Sequence, residues 1–224
     1  MTTRIYLIRH GATVLSAEDR FAGAVDVDLS DEGRGQAQAL AVRLADDHIR
    51  AVYCSPMRRT TETASIVAQP HGLTPIARDG LREINHGRWE SMRRGDVEAQ
   101  FPDEYAAWEE DPFLYTPSGG ESGLSVMARA LPVVRDVVVQ HAGENVAIVS
   151  HKATIRLIIS SLLGFDPRGY RDRLDQAPAC LNVLDFKDPV RARLMVFNDV
   201  SHYVDQPGRS AARLSKWWDG EKKS

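Results

Sequence analysis

Residues 4–8 read RIYLI, residues 51–54 AVYC and residues 146–150 VAIVS. None of these runs alternates apolar with polar positions, as a strand with one wet face does. Short, nearly continuous apolar runs suit strands covered on both faces, the usual condition of a parallel sheet. Residues 181–186 (LNVLDF) and 193–197 (RLMVF) read as two further strands, and residues 74–78 (TPIAR) as a weaker one. Helical patterns lie between them. Ser30 is a good N-cap, Asp31 and Glu32 favour a first turn, and Leu40, Leu44 and the alanines carry a stripe to about residue 46. Residues 57–69 and 152–163 each follow a strand directly and read as helices. Residues 123–141 do so too, although Pro132 is expected to kink or split that helix. Strand and helix alternate, so the expected class is α/β, a three-layer sandwich with a mostly parallel central sheet flanked by helices.

The expected organisation is a single domain over residues 1–204, followed by a polar tail, 205–224, that holds Trp217 and Trp218. Residues 83–119, with Trp89, Trp108 and three prolines, interrupt the alternation and are expected to form a helical insertion capping a site. The 224 residues carry a net charge of -3, so no strongly basic field points to nucleic acid or to an anionic membrane. Cys54 and Cys180 each sit in an apolar run and read as buried free thiols, which suits a reducing compartment. No signal-peptide pattern and no membrane-length apolar run is visible, so a cytoplasmic protein is expected.

Chemistry is concentrated where the strands end. In an open α/β sheet, ligands bind beyond the carboxyl ends of the strands. The first run ends in Arg9-His10-Gly11, and the strand 146–150 leads into His151-Lys152. The strand 51–54 leads into Ser55-Pro56-Met57-Arg58-Arg59 and places Arg58 in the first turn of a helix. Leu81-Arg82-Glu83 follows the weak strand and brings a carboxylate to the same rim. Arginine forks match phosphate oxygens, and histidines donate further hydrogen bonds. A neutral imidazole can attack phosphorus, and a carboxylate can protonate the leaving oxygen and then activate water. No HExxH, CxxC or GxxxxGK[ST] pattern is present. No metal and no cofactor is therefore expected. The partner expected is a small phosphate ester, with no nucleic acid and no membrane.

Six elements in order then resemble one family. LIRHGAT (7–13), RFAGAVDVDLSDEGRGQA (20–37), CSPMRRTTETA (54–64), LREINHGRWE (81–90), SGGES (118–122) and SHKATIR (150–156) are similar to the histidine phosphatase superfamily, in its phosphoglycerate mutase-like branch. The resemblance implies a phosphoglycerate mutase-like fold and gives each residue a role. His10 would be the phosphorylated nucleophile and Glu83 the proton donor, then the base. Arg9, Arg58 and His151 would bind the phosphoryl group, with Thr13 and Ser16 lining its pocket. The chain departs from the family pattern at Ala12, Leu15 and Ser16, which stand at the usual Glu, Trp and Asn positions. Asp28 replaces a common proline, and Lys152 stands where Gly or Asn is usual. Arg93, Arg94 and Lys152 are candidates for gripping an acidic group of the substrate. His86 and His202 are further candidates for contact with the pocket.

Only 35 residues separate Glu83 from Gly119, and Ile84 stands where the mutases have arginine. His86-Gly87-Arg88-Trp89-Glu90 also looks like the corresponding stretch of the phosphatase relatives. The expected activity is metal-independent hydrolysis of a small phosphomonoester through a phosphohistidine. A cofactor-dependent phosphoglycerate mutase and a phosphoprotein phosphatase are the alternatives. A homodimer is expected from the resemblance alone.

Overall fold

The computed structural model describes residues 2–14 and 20–204. Ser16 and the tail with Trp217 and Trp218 lie outside the described residues.

Among the described residues six strands form one sheet: β1 (Thr3–Arg9), β2 (Ile49–Cys54), β3 (Ile76–Ala77), β4 (Asn145–Ser150), β5 (Leu181–Phe186) and β6 (Ala192–Asp199). Their order is β3-β2-β4-β1-β5-β6. The pairs β1–β4, β2–β4 and β2–β3 are parallel, whereas β5 runs antiparallel to β1 and to β6. The helices are α1 (Asp31–Leu44), α2 (Arg58–Ala68), α3 (Arg94–Gln100), α4 (Pro102–Glu110), α5 (Gly123–Gln140), α6 (Lys152–Leu163) and α7 (Tyr170–Arg173).

Strand β1 shows why its apolar run is unbroken. Ile5 and Leu7 pack with residues of α5 and α6, including Val134 and Ile155. Tyr6 and Ile8 point the other way, towards Leu40 of α1 and Ala64 of α2. Alternate side chains enter two separate cores, so both faces must be apolar. Each wholly buried Ile or Leu contributes roughly 1.5–3 kcal/mol relative to exposure.

The weak strand shrinks to Ile76–Ala77 at the sheet edge, both exposed. Helix α5 runs unbroken through Pro132. Pro132 and Ala128, whose carbonyl loses its intrahelical partner, are both exposed, so water can serve that carbonyl.

Helix α1 is locked to the end of β1. The Ser30 hydroxyl caps it by accepting from Gly33 N at 3.1 Å, and Ser30 N donates to Ala12 O at 2.9 Å. The backbones come so close that a Cβ on Gly33 would stand 2.0 Å from Ala12 O. Gly35, one half-turn on, has nothing within 4 Å of its Cβ position. Helix propensity favours alanine over glycine by about 1 kcal/mol at either site. Urea denaturation should therefore show Gly35→Ala stabilised by roughly that amount. Gly33→Ala should instead lose about 1–3 kcal/mol to overpacking. Equal effects at the two positions would contradict the docking of α1.

Candidate active site

Register places the two histidines. Arg9 on β1 pairs with Ser150 on β4, so His10 and His151 leave the sheet together. Their ring centroids are 5.2 Å apart. His10 Nδ1 lies 2.7 Å from Gly11 O. A carbonyl can only accept, so Nδ1 carries the proton and Nε2 keeps its lone pair. His151 is arranged the other way. Its Nδ1 accepts from Arg59 Nε at 3.2 Å, which leaves Nε2–H to donate to the Ser55 hydroxyl at 2.8 Å. Burial, reinforced by arginine charge, holds both imidazoles well below the usual histidine range. Both are neutral at physiological pH.

Arg9 donates from Nη1 to Gln176 O at 2.6 Å, while its Nε is buried without a hydrogen-bond partner. The second arginine of the site is Arg59, not Arg58. Helix α2 begins at residue 58 and buries Arg59, Thr60, Thr63, Ala64, Val67 and Ala68. Arg58 falls on the opposite, wet face. It makes ion pairs with Asp26 and Asp28 at 3.3 and 3.0 Å and does not line the pocket. Arg59 donates from Nη1 to Val25 O and from Nη2 to Gly23 O, while its Nε meets His151. The signal was present in the sequence. Residues 59, 63 and 67 follow one helical face with Ala64 and Ala68, and residue 58 does not. Burial depresses the proton affinity of both Arg9 and Arg59. Two desolvated cations facing a cavity form a site for an anion.

Glu83 is held against the start of α6. Its carboxylate accepts from Ile84 N at 3.0 Å and from Ala153 N, Thr154 N and the Thr154 hydroxyl at 3.1 Å each. Those four donors aim the group at the cavity it shares with His10 and Arg59.

Glu90 organises the wall opposite. Its carboxylate accepts from the backbone N–H groups of Gly23, Ala24, Val25 and His86. It thereby ties the 23–25 loop, whose carbonyls hold Arg59, to the turn after Glu83.

The cavity has a volume of about 310 Å³. Arg9, His10, Thr13, Glu83, Arg94 and Lys152 of the sequence-based set line it, as does His86, whereas His202 does not. His151 is wholly buried behind Arg59. Arg93 does not reach the cavity. It precedes α3, and its backbone bridges to Arg20, which itself lines the wall. Sequence reasoning missed Arg20, Phe21, Arg156, Tyr170 and Arg171, which arrive from separate segments. Trp108 from α4 also lines the wall and packs with Phe21 and Trp89.

With this geometry in view, comparison with known proteins is direct. The sequence model described as histidine phosphatase superfamily (branch 1) matches residues 5–200. A phosphoserine phosphatase 1 of Hydrogenobacter thermophilus is 34% identical over 163 residues, 73% of this chain and 77% of the relative. A glucosyl-3-phosphoglycerate phosphatase of Mycolicibacterium vanbaalenii is 37% identical over 168 residues, 72% and 74% of the two chains. The solved structure of a mycobacterial glucosyl-3-phosphoglycerate phosphatase superposes with a TM-score of 0.80 at 28% identity, covering 88% of this chain and 99% of the other. The chain belongs to the histidine phosphatase superfamily. Within it, the chain stands with the phosphatases.

Two predictions follow from the site's construction. Arg59→Lys should lower kcat/KM about tenfold to a hundredfold, the worth of one or two lost charge-assisted hydrogen bonds. Arg58→Ala should change it by less than about fivefold, the worth of an exposed ion pair. The reverse ranking in steady-state kinetics would return the role to Arg58. The second prediction concerns pH. His10 and His151 are depressed well below 6.5, and burial pushes His86 down to about 4. Below pH 6.5 the unfolded chain takes up protons that the folded imidazoles refuse, so stability must fall as the solution is acidified. Tm should drop between pH 7 and pH 5. A flat or rising Tm over that window would show that these rings are not buried in the neutral form.

Proposed function

We propose that this phosphatase hydrolyses a small phosphomonoester without a metal, through a phosphohistidine on His10. The observation that carries the proposal is the His10 tautomer. Its Nδ1–H is spent on Gly11 O, which leaves the Nε2 lone pair free on a residue that lines the cavity together with Arg9 and Arg59.

In the first step Nε2 of His10 attacks phosphorus in line with the ester oxygen. The P–O bond to that oxygen breaks, and protonated Glu83 gives its proton to the departing alkoxide. In the second step the Glu83 carboxylate takes a proton from water. The new hydroxide attacks phosphorus, the P–N bond breaks, and inorganic phosphate leaves with His10 neutral again. Charge on the equatorial oxygens falls to Arg9 and Arg59. His151 supports them through its contact with Arg59 Nε. Since fixed guanidinium groups neutralise the phosphoryl oxygens, the step does not require a metal ion.

A cavity of about 310 Å³ is at the small end for ligand sites. It suits a small metabolite better than a protein side chain presented on a folded surface. The insertion carrying α3 and α4 narrows the cavity through Arg94 and Trp108, which supports its reading as a cap. The buried free thiols Cys54 and Cys180 suit a reducing compartment such as the cytoplasm.

The test is phosphate release from a panel of esters in the presence of EDTA. The wild type should release phosphate, and His10→Ala should not. Glu83→Gln should slow an alkyl phosphate far more than 4-nitrophenyl phosphate, whose leaving group needs no proton. Equal slowing of both would remove the general-acid role. Interconversion of 2- and 3-phosphoglycerate after priming with the bisphosphate, without phosphate release, would overturn the hydrolase reading in favour of a mutase.

A further inference from the structure

The described lining of the cavity carries more positive charge than a phosphate ester needs. Among the described residues that line it seven are arginine or lysine, and one, Glu83, is a carboxylate. The chain as a whole has a net charge of -3, so the excess among these described residues is local. Arg9 and Arg59 face the phosphoryl position, which leaves five. Arg94 and Arg171 share Glu109 at 3.5 and 3.4 Å and stack on Trp108, so they also build the wall. Arg20 donates to Ser91 O at 2.7 Å.

Lys152 and Arg156 are different. They stand one turn apart on α6, immediately after His151, and both line the cavity. Arg156 is 8% exposed, and its Nε is buried without a hydrogen-bond partner. The two cations share one counter-ion, Asp175, whose Oδ1 lies 3.6 Å from Lys152 Nζ and 3.3 Å from Arg156 Nη2. The Asp175 side chain is 68% exposed, so its hold is weakened by solvent. Burial and repulsion from Arg9 and Arg156 push the Lys152 ammonium down to about 8 despite Asp175. The pair is undercompensated. It also adjoins the phosphoryl position, because the residue after Asp175, Gln176, accepts from Arg9.

We propose that Lys152 and Arg156 form a second anion subsite that binds a carboxylate of the substrate, with Asp175 as the stand-in that the substrate displaces. The inference rests on the phosphomonoesterase reading and narrows its substrate class to phosphorylated hydroxy acids. Asp175 already shows that the pair accepts a carboxylate. An incoming one would meet Arg156, which lines the cavity and keeps a buried Nε unpartnered. The charge-assisted hydrogen bond gained there is worth more than the exposed pair it replaces.

Binding and turnover test the two readings separately. Dissociation constants for 3-phosphoglycerate and glycerol 3-phosphate are measured by calorimetry on full-length His10→Ala, which cannot turn either over. The two esters differ by one carboxylate. The first should bind tighter by about tenfold or more, the scale of one charge-assisted hydrogen bond. Lys152→Ala and Arg156→Gln, each added to His10→Ala, should collapse that ratio towards one. Asp175→Asn should raise it, because the competing carboxylate is gone. The ratio within each variant is insensitive to the fraction of folded protein. Should Arg156→Gln fail to fold, the Lys152 and Asp175 variants still decide. A ratio near one in His10→Ala, or a ratio unmoved by Lys152→Ala and Asp175→Asn, would overturn the subsite. If the wild type releases phosphate from glycerol 3-phosphate while the ratio does not move, the subsite fails alone. If no ester is hydrolysed while the ratio behaves as expected, the hydrolase reading fails and the subsite stands.

Discussion

Arg9 and Ser150 occupy one rung of a parallel strand pair, and the site depends on that register. Because the rung is the last, the next residues, His10 and His151, leave the sheet side by side with their rings 5.2 Å apart. A slip of one residue would turn every β1 side chain to the wrong core, since Ile5 and Leu7 serve one layer and Tyr6 and Ile8 the other. Burial on both faces thus fixes the catalytic geometry as firmly as it fixes the fold. The close approach of Gly33 to Ala12 and the bond from Gly11 N to Thr63 Oγ1 pin the loop after β1 from both flanking helices.

The electrostatics of the cavity run against folding and towards binding. Arg9, Arg59, Lys152 and Arg156 all lose proton affinity through burial, and the last three are pushed further by the charge of Arg9. Arg9 and Arg156 each keep a buried nitrogen without a partner. Such groups weaken the empty protein. A phosphate ester offers what they lack, in acceptor oxygens and in charge. The same logic keeps His10 neutral, since protonating it among these arginines is unfavourable, and a neutral imidazole is the form that can attack phosphorus.

Much of this was legible before any coordinates. The five clear strands and the helices over 31–46, 57–69 and 152–163 appear within a few residues of their expected bounds; for β1, β2, β4 and β5 the reason is that a mostly buried strand has a long apolar run, whereas β6 is a partly exposed edge strand. The strand-end rule located His10, His151 and Glu83. Arg58 failed because a strand-end rule gives an address, while helical phase decides which of two adjacent arginines faces inward. Arg20, Arg156 and Arg171 could not be found by local pattern. They come from a loop and two helices whose convergence is a property of tertiary packing. Pro132 was misjudged for a related reason. Its exposed position lets water serve the carbonyl that the proline ring leaves unpaired, so the helix continues.

The central claim is that a neutral His10 carries the phosphoryl group between substrate and water. Rapid-quench trapping during turnover, followed by digestion in alkali and mass spectrometry, addresses it directly. The account predicts up to one phosphoryl group per chain, acid-labile and alkali-stable, on the peptide containing His10 and bonded to Nε2. Phosphate on His151 or on a hydroxyl side chain would contradict the account. So would rapid turnover with no phosphoenzyme at any quench time.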